Sequence, residues 1–129
     1  MKQSAPLAIA FLVMVAATAA AASPTCSIHP KKGATREELA AMAKVTQIDA
    51  QKTALATLKD PSKATVKSAE LEAEHGCLLY SFDIEVAGKT GVQEVQIDAG
   101  NGKILSNKHE SPKAEAAEKA KDKAKAPKN

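Results

Sequence analysis

The sequence predicts an α+β domain, in which an N-terminal helix, preceded by a short helix, packs on one face of a three- to four-stranded antiparallel sheet. Three observations lead there. Two Thr-x-x-acid caps open helical segments at Thr35 and Thr46; apolar and polar residues alternate with period two from Ala69 to Ile97; and the alternating runs are joined by short glycine-bearing links, which make neighbours antiparallel. The 129 residues, 44% hydrophobic and 26% charged, suffice for one core and leave no room for a second. Aromatic content is 2%, supplied by Phe11, Tyr80 and Phe82, so the expected core is small and aliphatic.

Residues 1–22 read as a cleavable signal peptide rather than as structure. Lys2 gives the positive start, Leu7 to Val15 the apolar stretch, and Ala20-Ala-Ala22 the small-residue cleavage site before Ser23. The stretch approaches the length of a membrane anchor, but its alanine-rich second half favours cleavage. Ser23-Pro24-Thr25 lacks the residues that lipid attachment at Cys26 needs. The expected location is periplasmic or secreted.

Residues 23–43 form a lead-in and a short helix. The stretch from Ser23 to Gly33, with Pro24 and Pro30 and no periodic apolar pattern, is irregular. Thr35-Arg-Glu-Glu38 is a capping box, in which hydroxyl and carboxylate satisfy amide donors that a helix start leaves unpaired. Thr46-Gln-Ile-Asp49 repeats the device for the second helix, with Val45 placed to staple onto its first turn near Ala50. Ala50, Ala54, Leu55 and Leu58 make one narrow apolar stripe, and Asp60-Pro61 ends the helix. Small alanines in that stripe predict close approach to a flat surface, which one face of a sheet offers.

Beyond Lys63 the period changes to two. Ala69, Leu71 and Ala73 alternate with Glu70, Glu72 and Glu74; Leu78, Tyr80, Phe82, Ile84 and Val86 alternate with Leu79, Ser81, Asp83 and Glu85. His75-Gly76 is the turn between these two strands. Ala87 to Gly91 leads to a third strand with Val95 and Ile97 inward and Glu94 and Gln96 outward, and the Asp98 to Gly102 cluster turns toward a brief extended segment at Lys103 to Ser106. The polar face is expected to stay wet.

The segment 107–129 is built of lysine, alanine and glutamate, with two prolines and no large apolar residue, and reads as a disordered or partly helical tail. It holds seven lysines against four acids, a charge of +3, whereas 23–106 holds ten Lys and Arg against eleven acids, a charge of −1. Such a tail can contact anionic envelope surfaces. Its alternating signs and lack of aromatics argue against nucleic acid as a partner.

In an oxidising compartment the two cysteines predict one bridge, Cys26 to Cys77. The alternative for the same residues is a metal site of Cys26, His29, His75 and Cys77, two thiols and two imidazoles without a standard spacing. Glu70, Glu72, Glu74, Asp83 and Glu85 line one sheet face and are the first candidates for binding basic peptide segments or divalent cations; the plain alternative is a solvated strand face. No paired nucleophile and base, phosphate loop or metalloprotease motif appears, so the expectation is a non-enzyme without cofactors.

Ala43-Lys-Val-Thr-Gln-Ile-Asp-Ala50, the Leu79 to Glu85 strand with its Tyr80, and Val95-Gln-Ile-Asp-Ala-Gly-Asn-Gly-Lys-Ile-Leu105 occur in the order of the PepSY domain, which residues 44–106 resemble. The chain departs at Gly100-Asn101, where the family often has Thr before the glycine. The resemblance implies a capped helix followed by an antiparallel sheet, no catalytic residues, and a role in inhibiting or chaperoning a protease or another envelope protein. Two further expectations come from other classes: a metal-handling or metal-sensing accessory protein using the Cys/His set or the acidic face, and a structural envelope protein tethered by its basic tail.

Overall fold

The period-two pattern becomes a four-stranded antiparallel meander in the computed structural model, which describes residues 25–125. The signal segment expected over 1–22 lies outside the described residues. Strands β1 (Ala64–Glu74), β2 (Cys77–Val86), β3 (Val92–Asp98) and β4 (Ile104–Glu110) lie side by side in chain order. Together with helices α1 (Arg36–Met42), α2 (Gln47–Leu55) and α3 (Pro112–Lys125), they make an α+β protein.

One face of the sheet is apolar because β2 and β3 present alternate residues to it. Leu78, Phe82, Ile84, Val95 and Ile97 have no exposed surface, and Tyr80 is nearly as buried. On β1 the pairing shifts between Val66 and Ser68, leaving Lys67 as an extra residue. That bulge changes the phase of the alternation. Ala64 and Val66 face the core at even positions before it, and Ala69 and Leu71 do so at odd positions after it. His75 and Gly76 form the two-residue turn into β2, both at positive φ (49° and 78°), the backbone twist that tight hairpins favour.

The α1 start is the expected capping box: Thr35 Oγ1 accepts from the Glu38 amide (3.2 Å), and Glu38 Oε2 accepts from the Thr35 amide (2.8 Å). At α2 the device differs. Thr46 Oγ1 accepts from the Asp49 amide (3.1 Å) but donates to Asp49 Oδ2 (2.8 Å), because the shorter aspartate meets the hydroxyl instead of the Thr46 amide. The α2 ladder stops at Leu55, short of the expected Asp60-Pro61 boundary. Amides of Thr57 and Leu58 bond three residues back to Ala54 and Leu55, which tightens the last turn, and Pro61–Lys63 adds a 3₁₀ turn. Ala50 and Ala54 are fully buried in the same cluster as Leu78, Phe82, Val95 and Ile97.

Two ties hold the lead-in segment to the sheet. Cys26 and Cys77 are joined by a disulfide. Beside it, the fully buried Asp98 carboxylate accepts from the Ser27 amide (2.7 Å), Ser27 Oγ (2.5 Å), the Gly100 amide (2.7 Å) and the Asn101 amide (3.2 Å). A buried carboxylate is tolerated only with its lone pairs occupied in this way. Position 100 must lack a side chain, since a Cβ there would run into Ser27 Oγ. The link between α1 and α2 is pinned to the same corner: Lys44 and Val45 amides donate to Ala99 O (both 2.9 Å), and Tyr80 Oη donates to Val45 O (2.9 Å).

Past Ser106 the chain continues β4, with Asn107, Lys108, His109 and Glu110 opposite Val95, Glu94, Gln93 and Val92. Backbone pairing draws these residues into the sheet without any apolar side chain. Ser111 then accepts the Glu115 and Ala114 amides, with Pro112 at the first helical position, and α3 begins. Opening the disulfide, which spans 51 positions, by Cys77→Ser should cost about 4 kcal/mol on the loop-entropy account. Urea unfolding of the variant against the oxidised protein checks this, and an unchanged midpoint would contradict it.

Candidate functional site

The face of the sheet turned away from α1 and α2 collects carboxylates because alternation sends every second residue there. Ser68, Glu70 and Glu72 come from β1, Ser81 and Asp83 from β2, Glu94 from β3 and Glu110 from β4. In the pairing register Ser68 and Glu94 flank Asp83, and Ser68 Oγ donates to Asp83 Oδ2 (3.1 Å). Expected to stay wet, this face instead carries α3. Glu115, Glu118, Lys119, Asp122 and Lys123, spaced three and four apart on one side of the helix, close over a cavity of about 280 Å³.

Eight carboxylates and two ammonium groups line this cavity. Burial first, and then the charges of Glu74, Asp122, Glu70 and Glu118, push the Glu72 carboxyl up to about 7. Burial, followed by Glu118, Glu110, Glu74 and Asp83, pushes Glu94 to the same value. Glu110 is also raised, by burial and then by a hydrogen bond shared with Glu118. Carboxylate oxygens of Glu94, Glu110 and Glu118 lie within 4.8 Å of one another. Lys119 is held by Glu115 on its own helix, and no ion pair among the described residues joins α3 to the sheet.

The predicted acidic row is divided. Glu70, Glu72 and Asp83 line the cavity, Glu74 accepts from Gln96 Nε2 (2.7 Å), and Glu85 pairs with Lys67 (3.5 Å). The Cys/His set does not gather as four donors. Cys26 and Cys77 are bonded to each other, His29 Nδ1 lies 3.0 Å from Gly76 O, and the His75 side chain is 82% exposed with Nδ1 3.5 Å from Glu74. Around the bridge, Leu79 and Leu105 form a small apolar patch at one end of the acidic face.

Sequence reasoning placed Glu94 outward but left it out of the acidic row, and it passed over Glu110, Glu115, Glu118 and Asp122. Two signals could have found them. Glu94 shares its parity with Gln96 on β3, and 115, 118, 119, 122 and 123 trace one face of a helix behind a Ser-Pro start.

Compared with protein-family models, curated proteins and solved structures, the chain matches none. The disulfide fits an oxidising compartment. Among the described residues no helix is long and apolar enough to cross a membrane.

The raised carboxyls set the sign of the pH dependence. Glu72 and Glu94, at about 7 when folded, hold protons that an unfolded chain releases at its ordinary carboxyl value, so their contribution is complete below that value and is lost as pH rises through about 7. Asp98 acts oppositely. Burial raises it, but its hydrogen bonds from Ser27, Gly100 and Asn101 outweigh burial and leave it lowered, so its contribution is lost only on acidification. Stability should therefore fall by on the order of 2 kcal/mol between about pH 5 and pH 8, allowing for solvent screening. Thermal melts of Glu72→Gln and Glu94→Gln should show this slope flattened; an unchanged slope would contradict the assignment.

Proposed function

We propose that the chain is an exported, non-catalytic binding module of PepSY type, periplasmic or secreted, whose acidic sheet face takes a lysine- or arginine-bearing segment of another envelope protein. The observation that carries this reading is the seating of α3, which sets Lys119 and Lys123 at the wall of a cavity otherwise lined by eight carboxylates and two serines. The module thus holds a lysine-bearing helix of its own over the face where a partner's basic segment would lie. Attraction to such a segment is strongest where carboxylates crowd in a partly dehydrated cleft, since removing water raises the Coulomb energy of each pair.

Support for the family comes from the resemblance over 44–106, whose matching residues all serve the fold: Thr46 caps α2, Tyr80 bonds Val45 O and Asp98 holds the lead-in. A protease is the first partner to test, on the resemblance alone. Inhibition and chaperoning would both use this face.

A photo-crosslinking residue at position 81, introduced into the exported chain in its own cells, tests the reading. The expected product joins position 81 to a Lys/Arg-rich peptide of an envelope protein and disappears when Glu70→Lys and Glu72→Lys are combined. Crosslinks that survive this charge reversal, or that reach only the chain's own α3, would overturn it.

A further inference from the structure

We propose that Glu94, Glu110 and Glu118 bind one hard divalent cation, Ca²⁺ by its ligand chemistry, which clamps α3 to the sheet. The site itself does not depend on the preceding reading; its consequence for a partner does.

The three carboxylates come from β3, β4 and α3, and their oxygens approach within 4.8 Å of one another. Glu94 is the telling member. It is only 6% exposed, it lines the cavity, and among the described residues it has neither a hydrogen-bond nor an ion-pair partner. Its carboxylate opens onto the cavity without a partner, and a cation at the point where the three groups converge supplies one. A second, independent observation concerns α3. Its alanines from Ala114 to Ala124 are exposed, only Glu115 and Glu118 on it are half-buried, and it inserts no apolar side chain into the sheet. The helix therefore meets the sheet through carboxyl groups facing carboxyl groups, an arrangement that a positive charge between them stabilises.

The donor set selects the ion. All ligand atoms are carboxylate oxygens, which suit hard cations, and no thiolate or imidazole belongs to the cluster. Three carboxylates from three separate elements form an irregular set that water can complete. Ca²⁺ accepts six to eight oxygens in flexible geometry, whereas Mg²⁺ demands near-ideal octahedra and dehydrates reluctantly. Extracellular sites of this kind work at about 10⁻⁴–10⁻³ M. With the cation bound, α3 stays down over the acidic face; without it, the face opens to a partner.

Calorimetric titration of the full exported chain with CaCl₂ at neutral pH and physiological salt tests the site, paired with tryptic cleavage after Lys119 and Lys123. One Ca²⁺ per chain is expected, with affinity lowered at least about tenfold by Glu94→Gln and by Glu118→Gln. The second variant lies on a surface helix, so it leaves the core folded. Ca²⁺ should slow cleavage in α3 of the parent and not of either variant, and Glu85→Gln, on the residue paired with Lys67, should bind as the parent does. No single site up to millimolar Ca²⁺, equal binding of Mg²⁺, or undiminished binding by Glu118→Gln would overturn the proposal. Crosslinking at position 81 reads the partner face separately, so the two readings can fail independently.

Discussion

A single antiparallel sheet has two faces, and this chain carries apolar side chains for one of them. On β2, Leu78, Tyr80, Phe82 and Ile84 go to the helix side, and alternation then sends Ser81, Asp83 and Glu85 to the other. The same arithmetic on β1 exports Glu70, Glu72 and Glu74, and on β3 it exports Glu94. With three aromatic residues in the whole chain there is no second apolar layer to build. The far face is therefore acidic by construction, and an element that sits on it meets charged groups rather than an apolar surface. Helix α3, which has no large apolar side chain, lies there with Glu115 and Glu118 half-buried and its lysines up to Lys123 exposed.

The corner formed by the lead-in, the β1–β2 turn and the β3–β4 turn fixes the position of everything else. Asp98 gathers Ser27, Gly100 and Asn101 onto one buried carboxylate, and the Cys26–Cys77 bridge lies alongside. Ala99 O then accepts both Lys44 and Val45 amides, which sets where α2 begins. Two short segments of chain, joined by hydrogen bonds to charge and by one covalent link, thus orient the helices against the sheet. Small domains with few large side chains depend on such ties, because burial alone leaves them marginal.

Much of the architecture was legible in the sequence because its signals are local. The Thr35 capping box, the alternation along β2 and the His75-Gly76 turn each need only a few consecutive residues. The Lys67 bulge was hidden, since the switch from even to odd core positions on β1 reads as noise until the pairing with β2 is known. The candidate site was half legible. Glu70, Glu72 and Asp83 follow from alternation, whereas Glu110, Glu118 and Asp122 join them only through the docking of α3. That contact is made of charged groups, and apolar patterning, the strongest sequence signal for packing, is silent about it.

The account turns on α3 lying across the acidic face. Amide chemical shifts of the chain in millimolar CaCl₂, compared with those of the same chain ending at Ser111, test this most directly. Docking predicts that removing α3 moves the amides of Glu70, Ser81, Asp83 and Glu94 across three strands while leaving Ala50 and Ala54 on the opposite side unmoved. Changes confined to the residues next to the new end, His109 to Ser111, would contradict it.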